Sequence, residues 1–382
     1  MKTVLFVIDS LTCGGAEKSL ISLLPFLDYS ALDVDLMIVK RGGVYEKFVP
    51  DRVHVISVPK APQWLFRFYQ SFFSLEIRVL RLFGICRHSA ETYWQRMSRA
   101  YLTPVKKYDV AVAYQQGFPT YYVATKVRAK RKWAWVNADM EKAGYRSRFN
   151  RPLYDQINGV CAVSEALSCI LVDAGFVSPE KIRVINDILN VAQIRKMADE
   201  PLDTFNGSAR FKILTVGRLV PPKNYPLAVE AADILRDKGV DFVWTFIGEG
   251  RERSKIETLI QQKGLQKHVF LARQKLNPYP YFKACDIYVQ TSSFEGFGLT
   301  ISEAKVFHKP IVTTNFPAAH DQIKDGENGL IAEMTADSLA NKILSILENP
   351  DLKDMLVNGT RMEENRTAET EIARANSLLL ED

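Results

Sequence analysis

Phe211-Lys212-Ile213-Leu214-Thr215-Val216-Gly217 is a near-continuous apolar run that closes on glycine. Such a run fits a strand buried on both faces, as in a parallel sheet. A polar loop through Asn224 follows, then a helical pattern from Pro226 to Lys238. Next comes Phe242-Val243-Trp244-Thr245-Phe246-Ile247, a second buried strand, ending at Gly248-Glu249-Gly250. Strand, helix, strand is the repeating unit of a doubly wound sheet. Downstream, helical stretches at 251–263, 278–284 and 299–307 alternate with strands at 268–271, 287–290, 310–314 and 329–332. The first half carries the same rhythm. Val4-Leu5-Phe6-Val7-Ile8 opens it, a helix follows from Ala16 to Leu27, and strands are expected at 34–39, 53–58, 110–114, 132–136, 159–163 and 182–185.

The chain has 382 residues, 47% apolar and 25% charged, too apolar for its charge to be disordered. Its length suits two domains, each large enough for its own core. The expected division is a Rossmann-like domain over 1–195, a second over 196–360, and a C-terminal helix over 361–382 packing back on the first, with 189–210 as linker. Two doubly wound α/β domains facing across a cleft would present a ligand to the carboxyl ends of their strands. Five cysteines without a C-x-x-C pair read as reduced thiols, and five scattered histidines give no metal cluster. No signal-peptide core and no bilayer-spanning apolar run occur. The sequence therefore points to the cytoplasm, with peripheral contact at the inner face of the membrane left open.

Three stretches carry chemistry. Ser292-Ser293-Phe294-Glu295-Gly296-Phe297-Gly298 follows a strand and leads into a helix containing Glu303. Backbone N–H groups at such a helix start suit phosphate or sugar oxygens, and Glu295 and Glu303 can accept hydrogen bonds from hydroxyls. In Gly217-Arg218-Leu219-Val220-Pro221-Pro222-Lys223-Asn224, Arg218 and Lys223 are two cations at a strand end, fit to neutralise a diphosphate. Gly14-Gly15-Ala16-Glu17, where the first strand turns into the first helix, lets backbone approach a ligand closely. Read alone, each is also compatible with an ordinary charged loop or a tightly packed turn.

Together, Gly14-Gly15-Ala16-Glu17-Lys18, the 216–224 stretch, Phe246-Ile247-Gly248-Glu249-Gly250 and the 292–304 stretch resemble family four of the retaining glycosyltransferases. Asn277-Pro278-Tyr279-Pro280-Tyr281 is similar to its bacterial polysaccharide-assembly members. The resemblance implies a glycosyltransferase-B fold and a metal-independent, retaining enzyme. It implies transfer of a sugar from a UDP- or GDP-linked donor, with no other cofactor, to a lipid-linked or polysaccharide acceptor in cell-surface glycan synthesis. By motif, Arg218 and Lys223 would hold the diphosphate, and Glu303 the ribose hydroxyls. Glu295 with the Gly296-Phe297-Gly298 backbone would hold the sugar, and Gly14 and Gly15 would face the donor phosphates. Glu295, Arg218 and Lys223 are the expected catalytic residues. Trp135-Val136-Asn137-Ala138-Asp139 departs from the family's W-[IV]-H-x-D: Asn137 can still contact the donor sugar but cannot carry a proton. Asn190 likewise stands where Asp is common. Asp33-Val34-Asp35 opens an apolar strand and is not taken as a metal motif. Two other readings stay open, a sugar-nucleotide epimerase on the same fold and a catalytically weak membrane-surface binding protein.

The formal charge of +6 is uneven. Residues 1–190 carry 26 Lys/Arg against 17 Asp/Glu, and residues 60–107 alone hold nine basic, two acidic and ten aromatic side chains. On a helical wheel over 64–84, Arg67, Gln70, Ser71, Ser74, Arg78 and Arg81 share about a third of the circle, and apolar residues fill most of the rest. This pattern is not that of a nucleic-acid-binding stripe. It fits either a helix in an anionic lipid interface or one burying a wide apolar face in its domain.

Overall fold

The computed structural model describes residues 1–12, 14–82, 88–202, 205, 209–363 and 367–381. Cys13 and Cys86, and Phe83 and Gly84 of the basic aromatic segment, lie outside them. The chain forms two compact units: unit 1 is Met1–Ile188 with Thr370–Asp382, and unit 2 is Leu189–Glu369.

Unit 1 is built on seven strands: β1 (Lys2–Ser10), β2 (Leu32–Lys40), β3 (His54–Ser57), β4 (Tyr108–Ala113), β5 (Ala129–Val136), β6 (Gly159–Ala162) and β7 (Ile182–Val184). Unit 2 has six: β8 (Phe211–Val216), β9 (Phe242–Ile247), β10 (Val269–Ala272), β11 (Ile287–Gln290), β12 (Ile311–Thr314) and β13 (Leu330–Ala332). Every pairing is parallel. The apolar runs form these strands because helices cover both faces of each sheet, so alternation with polar residues is not needed. Val4 to Ile8 is wholly buried, and so is every residue of β9.

The orders are β3-β2-β1-β4-β5-β6-β7 and β10-β9-β8-β11-β12-β13. In each sheet the chain winds outward one way from its first strand and then returns to wind the other way. The reversal falls between β1 and β4 in unit 1 and between β8 and β11 in unit 2. The loops leaving these strands diverge there, and doubly wound proteins bind ligands at that point.

Two boundaries differ from the sequence reading. The stretch 189–210 is not all linker, because Val191–Met197 is a helix capped by Asn190, whose Oδ1 accepts from Gln193 N at 3.1 Å. It packs on the helices Tyr279–Ala284 and Leu299–Val306, and Asn277 Nδ2 donates to Met197 O at 2.7 Å, so it belongs to unit 2. At the other end the chain forms two helices, Pro350–Glu363 and Thr367–Leu380. Only the second lies on unit 1. Asn376 accepts from Asp28 N at 2.8 Å and donates to Phe26 O at 3.0 Å. Glu381 pairs with Arg131 at 3.0 Å and Arg183 at 2.6 Å, and Lys2 Nζ donates to the carbonyls of Leu380 and Glu381.

The basic aromatic segment is the helix Gln63–Leu82. Phe66, Tyr69 and Phe73 pack on the unit 1 core, beside Tyr93 and Tyr101. Trp64, Phe68, Phe72, Leu75 and Val79 are exposed. The wide apolar band of the wheel is thus two faces, one packed and one not.

Candidate functional site

The switch point of unit 2 gathers most of the residues singled out by sequence. After β8, Gly217 N donates to Ile247 O at 3.0 Å, Leu219 N to Glu249 O at 2.9 Å and Glu252 N to Leu219 O at 3.0 Å. The loops after β8 and β9 therefore lie backbone to backbone. A Cβ on Gly248 would strike the Gly217 carbonyl, which is why that motif needs glycine. Arg218 stands out from this lacing, exposed, and its side chain has no ion pair or hydrogen bond among the described residues.

Lys223 ends a short 3-10 turn before the helix Tyr225–Asp237. Its carbonyl accepts from Thr291 Oγ1 at 2.8 Å, and Ser293 N donates to Pro222 O at 2.8 Å, so the loop after β11 is tied to this turn. Lys223 Nζ is paired with Glu295 Oε1. The same oxygen accepts from Gln290 Nε2 at 2.7 Å and Ser292 Oγ at 2.6 Å. Gln290 Oε1 in turn accepts from Tyr288 OH at 2.5 Å and Thr300 Oγ1 at 2.8 Å. Lys223 is thus balanced by the carboxylate that the resemblance assigns to the sugar, whereas Arg218 has no such partner among the described residues.

Gly298, at φ +92°, turns the chain into the helix Leu299–Val306 in a conformation other residues rarely adopt, and no side chain caps that helix. Gln322 Nε2 closes the loop from behind, donating to Phe297 O at 2.6 Å and Gly298 O at 3.2 Å. Gly296 and Phe297 lie within it, Phe297 buried. One helical turn on, Glu303 is fully buried and accepts from Tyr279 OH at 3.1 Å. Burial above all, with Glu303 and Glu295 both nearby, pushes the Tyr288 phenol well up, so both carboxylates act on one buried ring. Gln290, Ser292, Tyr279 and Gln322 carry much of this geometry and were not identified as site residues from sequence. A glutamine closing the apolar run Ile287-Tyr288-Val289 was the available signal.

Gly14, Gly15 and Asn137 lie in unit 1, around its own switch point. Gly14 precedes the helix Gly15–Leu23, and a side chain there would strike the Glu17 carboxylate. At Gly15 nothing lies within 4 Å of where a Cβ would sit, so local packing does not demand glycine. Asn137 follows β5. Its N–H donates to Gln116 Oε1 at 3.2 Å, but both polar atoms of its side chain are buried without a hydrogen-bond partner among the described residues. Gln115 Oε1, just after β4, and Trp135 Nε1 share that condition. Buried amides in native proteins are nearly always bonded, so these groups keep hydrogen-bonding capacity to offer a polar partner. Tyr114 stacks on Trp135 at 4.8 Å, and its hydroxyl lies 2.9 Å from Ser19 Oγ, which donates to Asp187 Oδ1 at 2.5 Å. Desolvation pushes the Asp187 carboxyl up to about 7, against the lowering effect of the Ser19 hydrogen bond.

Asp33 and Asp35 are held by Lys106 at 3.2 and 3.0 Å, and Asp35 also accepts from Tyr108 OH at 2.7 Å, a structural ion-pair cluster on β2. Among the described residues no three His, Cys, Asp or Glu are grouped to hold a metal ion. No described helix is long and apolar enough to cross a membrane.

Two doubly wound parallel sheets, each with its own switch point, have the architecture of the glycosyltransferase-B fold. Residues 203–362 match the family model for glycosyl transferases group 1. It is similar to the poly(ribitol-phosphate) alpha-N-acetylglucosaminyltransferase of Staphylococcus aureus, 27% identical over 203 residues, which is 51% of this chain and 38% of that protein's length. It is 25% identical, over 96% of both chains, to the Campylobacter jejuni N-acetylgalactosamine-N,N'-diacetylbacillosaminyl-diphospho-undecaprenol 4-alpha-N-acetylgalactosaminyltransferase. The fold matches that of Anabaena HepE, solved with UDP and glucose, at a TM-score of 0.76 over the full length of both chains and 17% identity.

Proposed function

We propose that this chain is a retaining, metal-independent glycosyltransferase. It moves a sugar from a UDP- or GDP-linked donor to a lipid-linked or polysaccharide acceptor in bacterial cell-surface glycan assembly, working in the cytoplasm at the inner membrane face. The observation that carries the reading is the unit 2 switch point, where Arg218, the Lys223–Glu295 pair and the uncapped helix start at Leu299 lie on adjoining loops. In the reaction the bond between the sugar C1 and the diphosphate oxygen breaks, the acceptor oxygen bonds to C1, and the proton of the acceptor hydroxyl passes to the departing diphosphate or to solvent. Negative charge grows on the departing diphosphate. Arg218, Lys223 and the positive end of the Leu299–Val306 helix are the groups to stabilise it, fixed before the reaction begins. Lys223 can serve two partners because an ammonium has three donors, of which the pair with Glu295 uses one. Glu303 is assigned to the ribose hydroxyls, and Glu295 with the 296–298 backbone to the sugar. Gly14, Gly15 and Asn137 are assigned to the donor as well.

A panel of UDP- and GDP-sugars, offered with an undecaprenyl-diphosphate-linked saccharide, tests the reading. Transfer with the donor's anomeric configuration kept in the product, seen by NMR and undiminished by a chelator, is the expected result. Inversion at C1 would overturn the retaining assignment, and a protein that binds no nucleotide sugar by calorimetry would overturn the whole reading. Conversion of the donor to its epimer with no acceptor present would replace it with an epimerase.

A further inference from the structure

The helix Gln63–Leu82 turns an apolar stripe away from its own domain. Trp64, Phe68, Phe72, Leu75 and Val79 are 73%, 54%, 59%, 60% and 42% exposed. Their spacing of four, four, three and four residues puts all five within about 80° of one another on a helix. Phe68 and Phe72 rest ring on ring at 4.7 Å. The opposite face, with Phe66, Tyr69 and Phe73, already supplies the packing that holds the helix on unit 1. Folding therefore does not account for the outer stripe. A surface helix normally keeps polar groups there, and a contiguous exposed apolar patch marks an interaction surface.

Charge says what the surface meets. Arg67 and Arg78 flank one edge of the stripe, both exposed, and neither guanidinium has a partner among the described residues. On the other edge the helix has a single acid, Glu76, and Arg96 of the helix Ser89–Met97 engages it with two bonds, at 2.5 and 2.6 Å. The face is thus apolar along its middle and positive at its rim. A second copy of this helix would bring its own unpaired arginines and no unengaged carboxylate to meet them. An anionic lipid surface offers acyl chains to the stripe and phosphates to the arginines at once. Trp64 at the helix start suits the same boundary, being apolar with one donor.

We propose that Trp64, Phe68, Phe72, Leu75 and Val79 are the membrane-inserting surface of unit 1. The helix lies flat in the interface of an anionic bilayer, with Arg67 and Arg78 on lipid phosphates. The proposal rests on the functional reading above for its purpose, access to a lipid-linked acceptor, but its chemistry is independent of the donor site.

Flotation of the full chain with phosphatidylcholine vesicles, with and without a quarter of phosphatidylglycerol, tests it. The wild type is expected to float with the anionic vesicles, and less so as salt rises. The variant F68S/F72S/L75S is expected to lose at least tenfold in partitioning while its unfolding midpoint is retained, because these side chains are already exposed. R67Q/R78Q, which leaves the stripe intact, is expected to lose about fivefold per arginine and most of the salt dependence. A wild type that does not float, or a serine variant that floats as well as the wild type, would overturn the proposal. So would a stripe-dependent dimer by light scattering with no lipid binding. Hydrolysis of the same UDP- and GDP-sugar panel without vesicles separates the two ideas. Lost flotation with hydrolysis intact concerns the surface alone. Intact flotation with no donor turnover overturns the functional reading and leaves the surface standing.

Discussion

The two switch points share one topology and use their polar groups in opposite ways. In unit 2 the groups are joined to one another: Lys223 to Glu295, Glu295 to Gln290 and Ser292, and Gln290 to Tyr288 and Thr300. In unit 1 the Asn137 amide, Gln115 Oε1 and Trp135 Nε1 are buried without such bonds among the described residues, and Asp187 sits where a carboxylate is poorly solvated. A satisfied network holds its shape before a ligand arrives, the condition for stabilising charge that develops in a reaction. Unsatisfied buried groups instead gain from whatever polar partner they meet. Under the proposed function, the difference would place preorganised chemistry in unit 2 and adaptable recognition in unit 1.

The largest effect should come from breaking the unit 2 network. Lys223→Met removes the cation proposed to meet the diphosphate and leaves Glu295 without its ion-pair partner. Transfer kcat/KM should fall about 10²–10³-fold, with weaker donor binding by calorimetry. Combining it with Glu295→Gln should cost clearly less than the two single losses together, because the residues act as a unit. Additive losses would mean the pair is not functionally coupled. Glu303→Gln keeps the shape and the Tyr279 contact but removes the charge. The donor KM should rise on the order of 10–100-fold, as for loss of a charged hydrogen bond, with little change in the unfolding midpoint.

Asp187 tests the other side. Its carboxyl holds a proton in the folded state, up to a pH of about 7, that the unfolded chain releases near the ordinary carboxylate range. Wild-type stability contributed by this group is therefore full at low pH and is lost as pH rises towards 7, by at most about 1.4 kcal/mol per unit. Asp187→Asn should remove that slope, so the variant gains on the wild type between pH 5 and 8 in thermal unfolding. A constant offset would show the carboxyl to be well solvated. The smallest effect is at Asn137. Replacing its orphaned amide with Leu should leave stability unchanged or raise it by about 1 kcal/mol, while transfer falls roughly tenfold. Marked destabilisation would show that the amide is satisfied within the fold and would dissolve the contrast between the two units.

The strands were legible because parallel strands covered on both faces must be continuous apolar runs, and Val4 to Ile8 or Phe242 to Ile247 hardly read otherwise. The short helix Val191–Met197 was not, since seven residues give too little periodicity to separate it from a linker. What escaped most was whatever depends on strand order. Lys223 and Glu295 lie 72 residues apart and meet only because β11 pairs beside β8, a neighbour relation that no local pattern encodes. Gln290 was hidden for another reason: its side-chain partners Tyr288, Ser292, Glu295 and Thr300 lie within ten residues of it, but only the fold of the loop turns them towards it. The wheel over 64–84 set out the apolar width of the helix. It could not tell how much of that width the core at Tyr93 and Tyr101 would cover.

The salt links of Glu381 to Arg131 and Arg183, and of Lys2 to the carbonyls beside it, bear on how the chain is made. Unit 1 is written in two pieces, with the whole of Leu189–Glu369 between them. On the ribosome its seven strands emerge before unit 2, and the helix that closes it emerges only after unit 2. Unit 1 thus waits for residues 370–382 before its fold is complete. Removing those residues is therefore a lesion of unit 1, not of unit 2.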